Sequence, residues 1–147
     1  MGIKANYREV IRAPFWLIAF IYFMLFSLVL AIWAALDNKA AINAFAISVV
    51  LGLLFIYRSK KVIEISDGEL RIGRAHIPIE LLGEVEVLDR KRFAHERTRG
   101  ADPAAYLATI FWVSQGVKVR VRDERDPTPY WLISSNSAAA LKRALES

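Results

Sequence analysis

Phe15 to Leu36, FWLIAFIYFMLFSLVLAIWAAL, is a run of 22 residues without a charge, and Ala40 to Tyr57, AAINAFAISVVLGLLFIY, is a second run of 18. Between them stand only Asp37, Asn38 and Lys39. At ~1.5 Å rise per helical residue the runs reach roughly 33 Å and roughly 27 Å, against a hydrocarbon core of ~30 Å. The three linking residues are polar enough to turn in water and too few to form a domain. The reading is a membrane-embedded α-helical hairpin, with spans about 15–36 and 40–57. A cleaved leader is the rival for the first run. Its apolar length exceeds the usual ~7–15 residues, and Ile32-Trp33-Ala34 is a poor small-x-small cleavage site.

Working outward, the charges divide at the hairpin. The whole chain of 147 residues carries a formal +5, which resembles a nucleic-acid signal until it is apportioned. Residues 1–60 hold six bases against two acids, and residues 61–147 hold fourteen against thirteen. The excess therefore belongs to the membrane flanks, and no nucleic-acid partner is expected. Lys4, Arg8 and Arg12 precede the first span, Arg58, Lys60 and Lys61 follow the second, and the loop between is neutral. The positive-inside rule then puts both termini in the cytoplasm of a bacterial cell, with the hairpin in its inner (plasma) membrane. Trp16 and Tyr57 fall at the inner interface and Trp33 at the outer one.

Composition narrows the chemistry. The chain has no cysteine, which removes disulfides, thiolate metal sites and cysteine nucleophiles. Its two histidines, His76 and His95, lack ligand spacing, so no metal and no cofactor is expected. The polar residues inside the spans, Ser27, Asn43 and Ser48, do not ionise, which argues against a transporter working alone. Ala44, Ser48 and Gly52 recur every fourth residue, a stripe suited to close packing within the hairpin or between copies. Before the first span, Tyr7, Val10 and Ile11 have near-helical spacing and predict a short interfacial lead-in, with Pro14 in the first turn of the membrane helix.

From Lys61 the period changes to two. Val62 to Ile65 and Leu70 to Ile72 flank the turn signal Ser66-Asp67-Gly68-Glu69. Ala75 to Ile79 predicts an edge strand because Pro78 removes a donor, Glu80 to Gly83 a helical turn, and Glu84 to Leu88 a further strand. Asp89 to Gly100, DRKRFAHERTRG, reads as a solvated loop. Asp102-Pro103 predicts a capped helix over 102–108, and Thr109 to Val113 a strand. Val117 to Val121 and Tyr130 to Ile133 follow as strands. An amphipathic helix then begins at Asn136 or Ser137 and turns Leu141 and Leu145 inward. The expected architecture is a hairpin over residues 1–60 plus an α+β unit over 61–147, a small antiparallel PH-like β roll or barrel closed by the C-terminal helix.

Several stretches carry a resemblance: Tyr7-Arg8-Glu9 with Pro14, Leu70 with Ile72-Gly73-Arg74-Ala75, and Ile77-Pro78. The strongest are Arg99-Gly100-Ala101-Asp102-Pro103-Ala104-Ala105-Tyr106, Phe111-Trp112-Val113 and Asp126-Pro127-Thr128-Pro129-Tyr130-Trp131-Leu132-Ile133-Ser134. In these the chain resembles an actinobacterial family of uncharacterised two-span membrane proteins, over nearly its whole length. The resemblance implies the architecture and no activity. It also implies an arginine just before Trp112, where Ile110 and Phe111 stand, and another near Asn136.

Three constellations are candidates for function. Arg90, Lys91, Arg92, Arg97 and Arg99, with His95, form a basic cluster suited to anionic lipid headgroups, diluted by Asp89, Glu96 and Asp102. Arg99, Asp102 and Tyr106 with Asp126, Tyr130 and Trp131 form a candidate docking surface, in which a stiff Asp-Pro-Thr-Pro turn displays two rings beside a carboxylate for a protein partner. Glu84 and Glu86 opposite Lys118, Arg120 and Arg122 predict a cross-strand charge ladder with no function of its own. No serine sits in a nucleophile elbow and no glycine-rich loop follows a strand, so no catalytic residues are assigned. The expectation is a non-catalytic adaptor or accessory subunit. An anionic-lipid sensor is the alternative, and an enzyme acting on a lipid from the cytoplasmic side is the third. The absence of native cysteine makes the topology directly testable. With single cysteines at Asn38→Cys and Ser147→Cys, an impermeant thiol reagent applied to intact cells should label the first and spare the second.

Overall fold

The computed structural model describes residues 6–147. It divides into two compact units, Arg12–Lys61 and the remainder, and each is built by its own physics.

In the first unit, α1 (Phe15–Ala35) and α2 (Asn38–Ser59) are joined by a turn of two residues. Both helices are long and apolar enough to cross a membrane. Their most apolar stretches are only 11% and 6% buried, whereas a core helix of a soluble protein is mostly covered. Asp37 caps α2 by accepting from the Ala40 amide at 2.8 Å, and Trp33 Nε1 donates to Asn38 Oδ1 at 2.8 Å. These bonds satisfy polar groups where both helices end. Along the helix interface, a β-carbon on Gly52 would stand 2.7 Å from the Tyr22 ring, so the stripe of small residues receives an aromatic ring within the hairpin.

The second unit contains two four-stranded sheets. Sheet one is ordered β1-β2-β3-β4, with β1 Tyr7–Ile11, β2 Lys61–Ser66, β3 Glu69–Ile72 and β4 Ala75–Pro78. Asp67 and Gly68, both at positive φ, make the two-residue turn that pairs Ser66 with Glu69. Gly73, at φ 60°, opens the next turn. Pro78 lies on the edge strand, where its missing N–H is tolerated.

Sheet two is ordered β5-β7-β8-β6, with β5 Leu82–Leu88, β6 Tyr106–Ala108, β7 Gly116–Val121 and β8 Tyr130–Ser134. β5, β7 and β8 pair antiparallel, and β6 joins β8 in parallel. One core unites both sheets. It contains Ile11, Ile63, Ile65, Leu70 and Ile77 from the first, Val117, Val119, Trp131 and Ile133 from the second, and Leu141 and Leu145 from α4 (Ala138–Glu146). A smaller cluster of Leu88, Phe93, Tyr130 and Leu132 lies on the other face of sheet two, beneath α3 (Arg90–Arg97).

Four expectations are corrected. Tyr7–Ile11 is a strand and not a helical lead-in: Tyr7, Glu9 and Ile11 turn inward while Arg8 and Val10 are exposed, which is period two. The β unit therefore starts before the hairpin, and a boundary at residue 61 would remove a strand. The chain leaves β1, makes α1 and α2, and returns as β2, the neighbouring strand of the same sheet. Residues 89–100 contain a helix: Asp89 accepts from the Arg92 amide at 2.8 Å, and Phe93, fully buried, is the single large apolar side chain holding it down. Residues 102–108 are a turn and then β6, and 109–113 is a turn, so neither the helix nor the strand expected there forms. Sheet two is consequently mixed and not wholly antiparallel.

Gly116 lies where β7 meets β8. A β-carbon there would collide with the Ile133 carbonyl and approach the Phe93 ring to 2.7 Å. Gly116→Ala should destabilise the fold by about 3 kcal/mol, seen as a lowered thermal midpoint of the purified full chain.

Candidate functional site

The two most distinctive stretches, Arg99 to Tyr106 and Asp126 to Ser134, meet. The Tyr130 hydroxyl accepts from the Asp102 amide at 3.0 Å and donates to the Gly100 carbonyl at 3.5 Å. The Trp131 ring packs against Tyr106, with centroids 4.6 Å apart and planes tilted by 45°. These contacts pin the segment before β6 onto β8. Arg99, Asp102 and Tyr106 remain exposed on it.

The expected display of Tyr130 and Trp131 is corrected. They are 7% and 6% exposed. Neighbouring residues of a strand point to opposite faces, and β8 is covered on both, by α3 with its cluster on one side and by the main core on the other. Of the candidate docking set, these two rings brace the surface from below. The carboxylates are engaged locally. Asp102 Oδ1 accepts from the Ala104 amide and Asp126 Oδ1 from the Thr128 amide, both at 2.9 Å. Bonds from the Thr128 hydroxyl and amide hold the Asp126 carboxyl below the usual range for an aspartate.

The basic cluster is partly neutralised. Arg92 pairs with Glu86, and Glu96 pairs with Lys118 at 3.2 Å, while the Lys118 ammonium also lies 4.3 Å from the centre of the Tyr130 ring. Glu86 and Lys118 do stand opposite each other in the β5–β7 register, as the ladder requires, but each charge is taken by a residue of α3. Arg97 folds over Phe93 at 5.8 Å and encloses one guanidinium nitrogen without a hydrogen-bond partner. Arg90, Lys91 and Arg99 remain exposed, and the one acid of α3, Glu96, is turned inward.

A further constellation was not anticipated. The Glu9 carboxylate of β1 accepts from the Tyr7 hydroxyl at 3.0 Å, from the fully buried Ser135 hydroxyl at 2.6 Å and from the Asn136 amide at 2.9 Å. Ser135 also donates its amide to the Gln115 carbonyl at 3.1 Å, so residues 134–137 gather β1, the 109–115 turn and α4. The signal was the alternation of Tyr7, Glu9 and Ile11, hidden because Tyr7, Val10 and Ile11 also fit a helical turn.

A family model described as a protein of unknown function (DUF3093) matches residues 6–145. The chain belongs to this family. No curated protein and no solved structure matches it. The match runs from β1 to α4, so the DUF3093 unit includes the hairpin between paired strands of one sheet.

Burial, with the bond to Glu9 and its charge, pushes the Tyr7 phenol up to about 12 from its ordinary 10.0. Because the folded value lies above the unfolded one, this contribution to stability is present below pH ~10 and fades as pH rises toward ~12. Tyrosinate absorbance of the full chain should contain a component near 12 that is missing from Tyr7→Phe, and Glu9→Gln should move it toward 10.0.

Proposed function

We propose that this DUF3093 protein is a non-catalytic accessory subunit of the bacterial inner membrane. In this reading the helical hairpin spans the bilayer with both termini in the cytoplasm, and the α+β unit is a PH-like roll that docks a protein partner. The observation that carries the docking reading is the braced segment before β6. Tyr130 bonds its backbone at Gly100 and Asp102, and Trp131 supports Tyr106, so Arg99, Asp102 and Tyr106 are presented from a surface already ordered. Pre-ordering lowers the entropy lost on binding, and a tyrosine beside an arginine and a carboxylate suits a peptide or folded partner. The non-catalytic reading is supported by the carboxylates of Asp102 and Asp126, which are taken up by turn amides.

A second reading, contact with anionic lipid, is favoured by one observation. With Glu96 paired inward, the outer face of α3 and its end presents Arg90, Lys91 and Arg99. A basic side chain near an anionic leaflet contributes ~1 kcal/mol, screened by salt. Crosslinking and affinity purification of the full chain from native membranes separates the two readings. An adaptor should yield one dominant protein that disappears in Arg99→Glu and persists in the double variant Arg90→Glu, Lys91→Glu. The same protein in all three samples would sink the proposed surface. Lipid crosslinks alone, lost in the double variant, would favour the second reading.

A further inference from the structure

We infer that the turn at residues 109–113 is an interfacial anchor that seats Phe111 among the lipid headgroups and upper acyl chains of the bilayer. The inference rests on the membrane reading of the hairpin and adds a second, independent contact made by the β unit.

Among the described residues of the β unit, Phe111, 66% exposed, is the most exposed large apolar one, and Leu107 is next at 42%. Its exposure is imposed by the turn. Ile110 and Val113 on either side are drawn into the core, and the Val113 amide donates to the Ile110 carbonyl at 3.0 Å. The Ile110 amide donates to the Ser134 hydroxyl at 2.8 Å, and Gln115 Nε2 to the Asn136 carbonyl at 3.1 Å. Trp112 packs against the core and meets Phe111 edge to face at 4.9 Å. The turn is thus stapled at both ends and holds one aromatic ring outward on a rigid mount. A ring two-thirds exposed and braced from one side is what a binding anchor looks like.

The chemistry around the ring selects the occupant. Pro103 to Val117 contains no charged residue, in a chain that is 24% charged. Outside the hairpin, the other uncharged run of that length, Pro127 to Leu141, contains β8, which is buried throughout. Pro103 to Val117 instead brings Tyr106, Leu107 and Phe111 to the surface. A turn that carries an exposed aromatic ring and no charged residue has nothing to set the register of a polar partner. It suits the membrane interface, where aromatic rings partition and charges are costly to desolvate. A chain anchored by its own hairpin needs no strong added contact, because tethering supplies the concentration.

The test uses the full chain in nanodiscs of neutral lipid, with an environment-sensitive thiol probe at single cysteines, since the chain has none of its own. Probes are placed at Ser114→Cys beside the ring, at Phe26→Cys within α1, and at Glu124→Cys on an exposed turn. Quenching by headgroup-labelled lipid is read at each. The Ser114 probe should be quenched several-fold more than the Glu124 probe, and Phe111→Asp should return it to the Glu124 level without changing the thermal midpoint. A Ser114 probe no more quenched than Glu124, while Phe26 is quenched by tail-labelled lipid, overturns the anchor and leaves the hairpin reading intact. A Phe26 probe that reports water overturns the hairpin reading and the anchor with it. Shielding at Ser114 in native membranes but not in the nanodisc overturns the lipid assignment in favour of a protein pocket.

Discussion

Double burial of β8 is the constraint on which the β unit depends. All five of its residues are covered. Trp131 and Ile133 face the core shared by the two sheets, and Tyr130 and Leu132 face α3. A strand covered on both faces does not alternate apolar and polar residues, which is why Tyr130 to Ile133 reads as a continuous apolar run. The strand also carries the residues that order its neighbours. Tyr130 fixes the segment before β6, Trp131 supports Tyr106, and Ser134 accepts from the Ile110 amide. Gly116 has no side chain because the carbonyl of Ile133 occupies the space where one would start.

The same burial changes what the Asp-Pro-Thr-Pro-Tyr-Trp stretch does. As a linear motif it looks like a stiff turn showing two rings to a partner. In the fold the turn delivers the rings to opposite sides of one strand, and the surface they serve is contributed by Arg99, Asp102 and Tyr106. The polar tip of Tyr130 accounts for its place in a small apolar cluster, because the hydroxyl satisfies a backbone amide at the edge of the strand. The basic helix α3 is held by one phenylalanine and two ion pairs to the sheet, so its cations divide into those that bind it down and those left outward.

Glu9 performs a comparable task at the other end of the unit. Its carboxylate collects three donors, two of them from the segment between β8 and α4, and so fastens β1 across the start of the last helix. With Ile11 fully buried and β1 beside β2, the strand before the hairpin is an integral part of the sheet. A family unit running from residue 6 to residue 145 is consistent with that arrangement, since it includes the strands on both sides of the hairpin.

The sequence by itself determined the elements whose signal is local. Two uncharged runs of 22 and 18 residues specify helices long enough for a membrane, because length and charge alone decide that question. The Asp67-Gly68 turn, the edge position of Pro78 and the inward face of α4 followed from backbone preferences and periodicity. Tertiary structure decided the rest. Tyr7 to Ile11 became a strand because β2 offered an edge, and 90–97 became a helix because Phe93 found a cluster to enter. Tyr106 to Ala108 became a strand through parallel pairing with β8, overriding the Asp-Pro helix signal, which serves instead as a turn around the Ala104 amide. Each of these segments is short. Its conformation was set by partners far away in the chain, and no reading of neighbouring residues contains them.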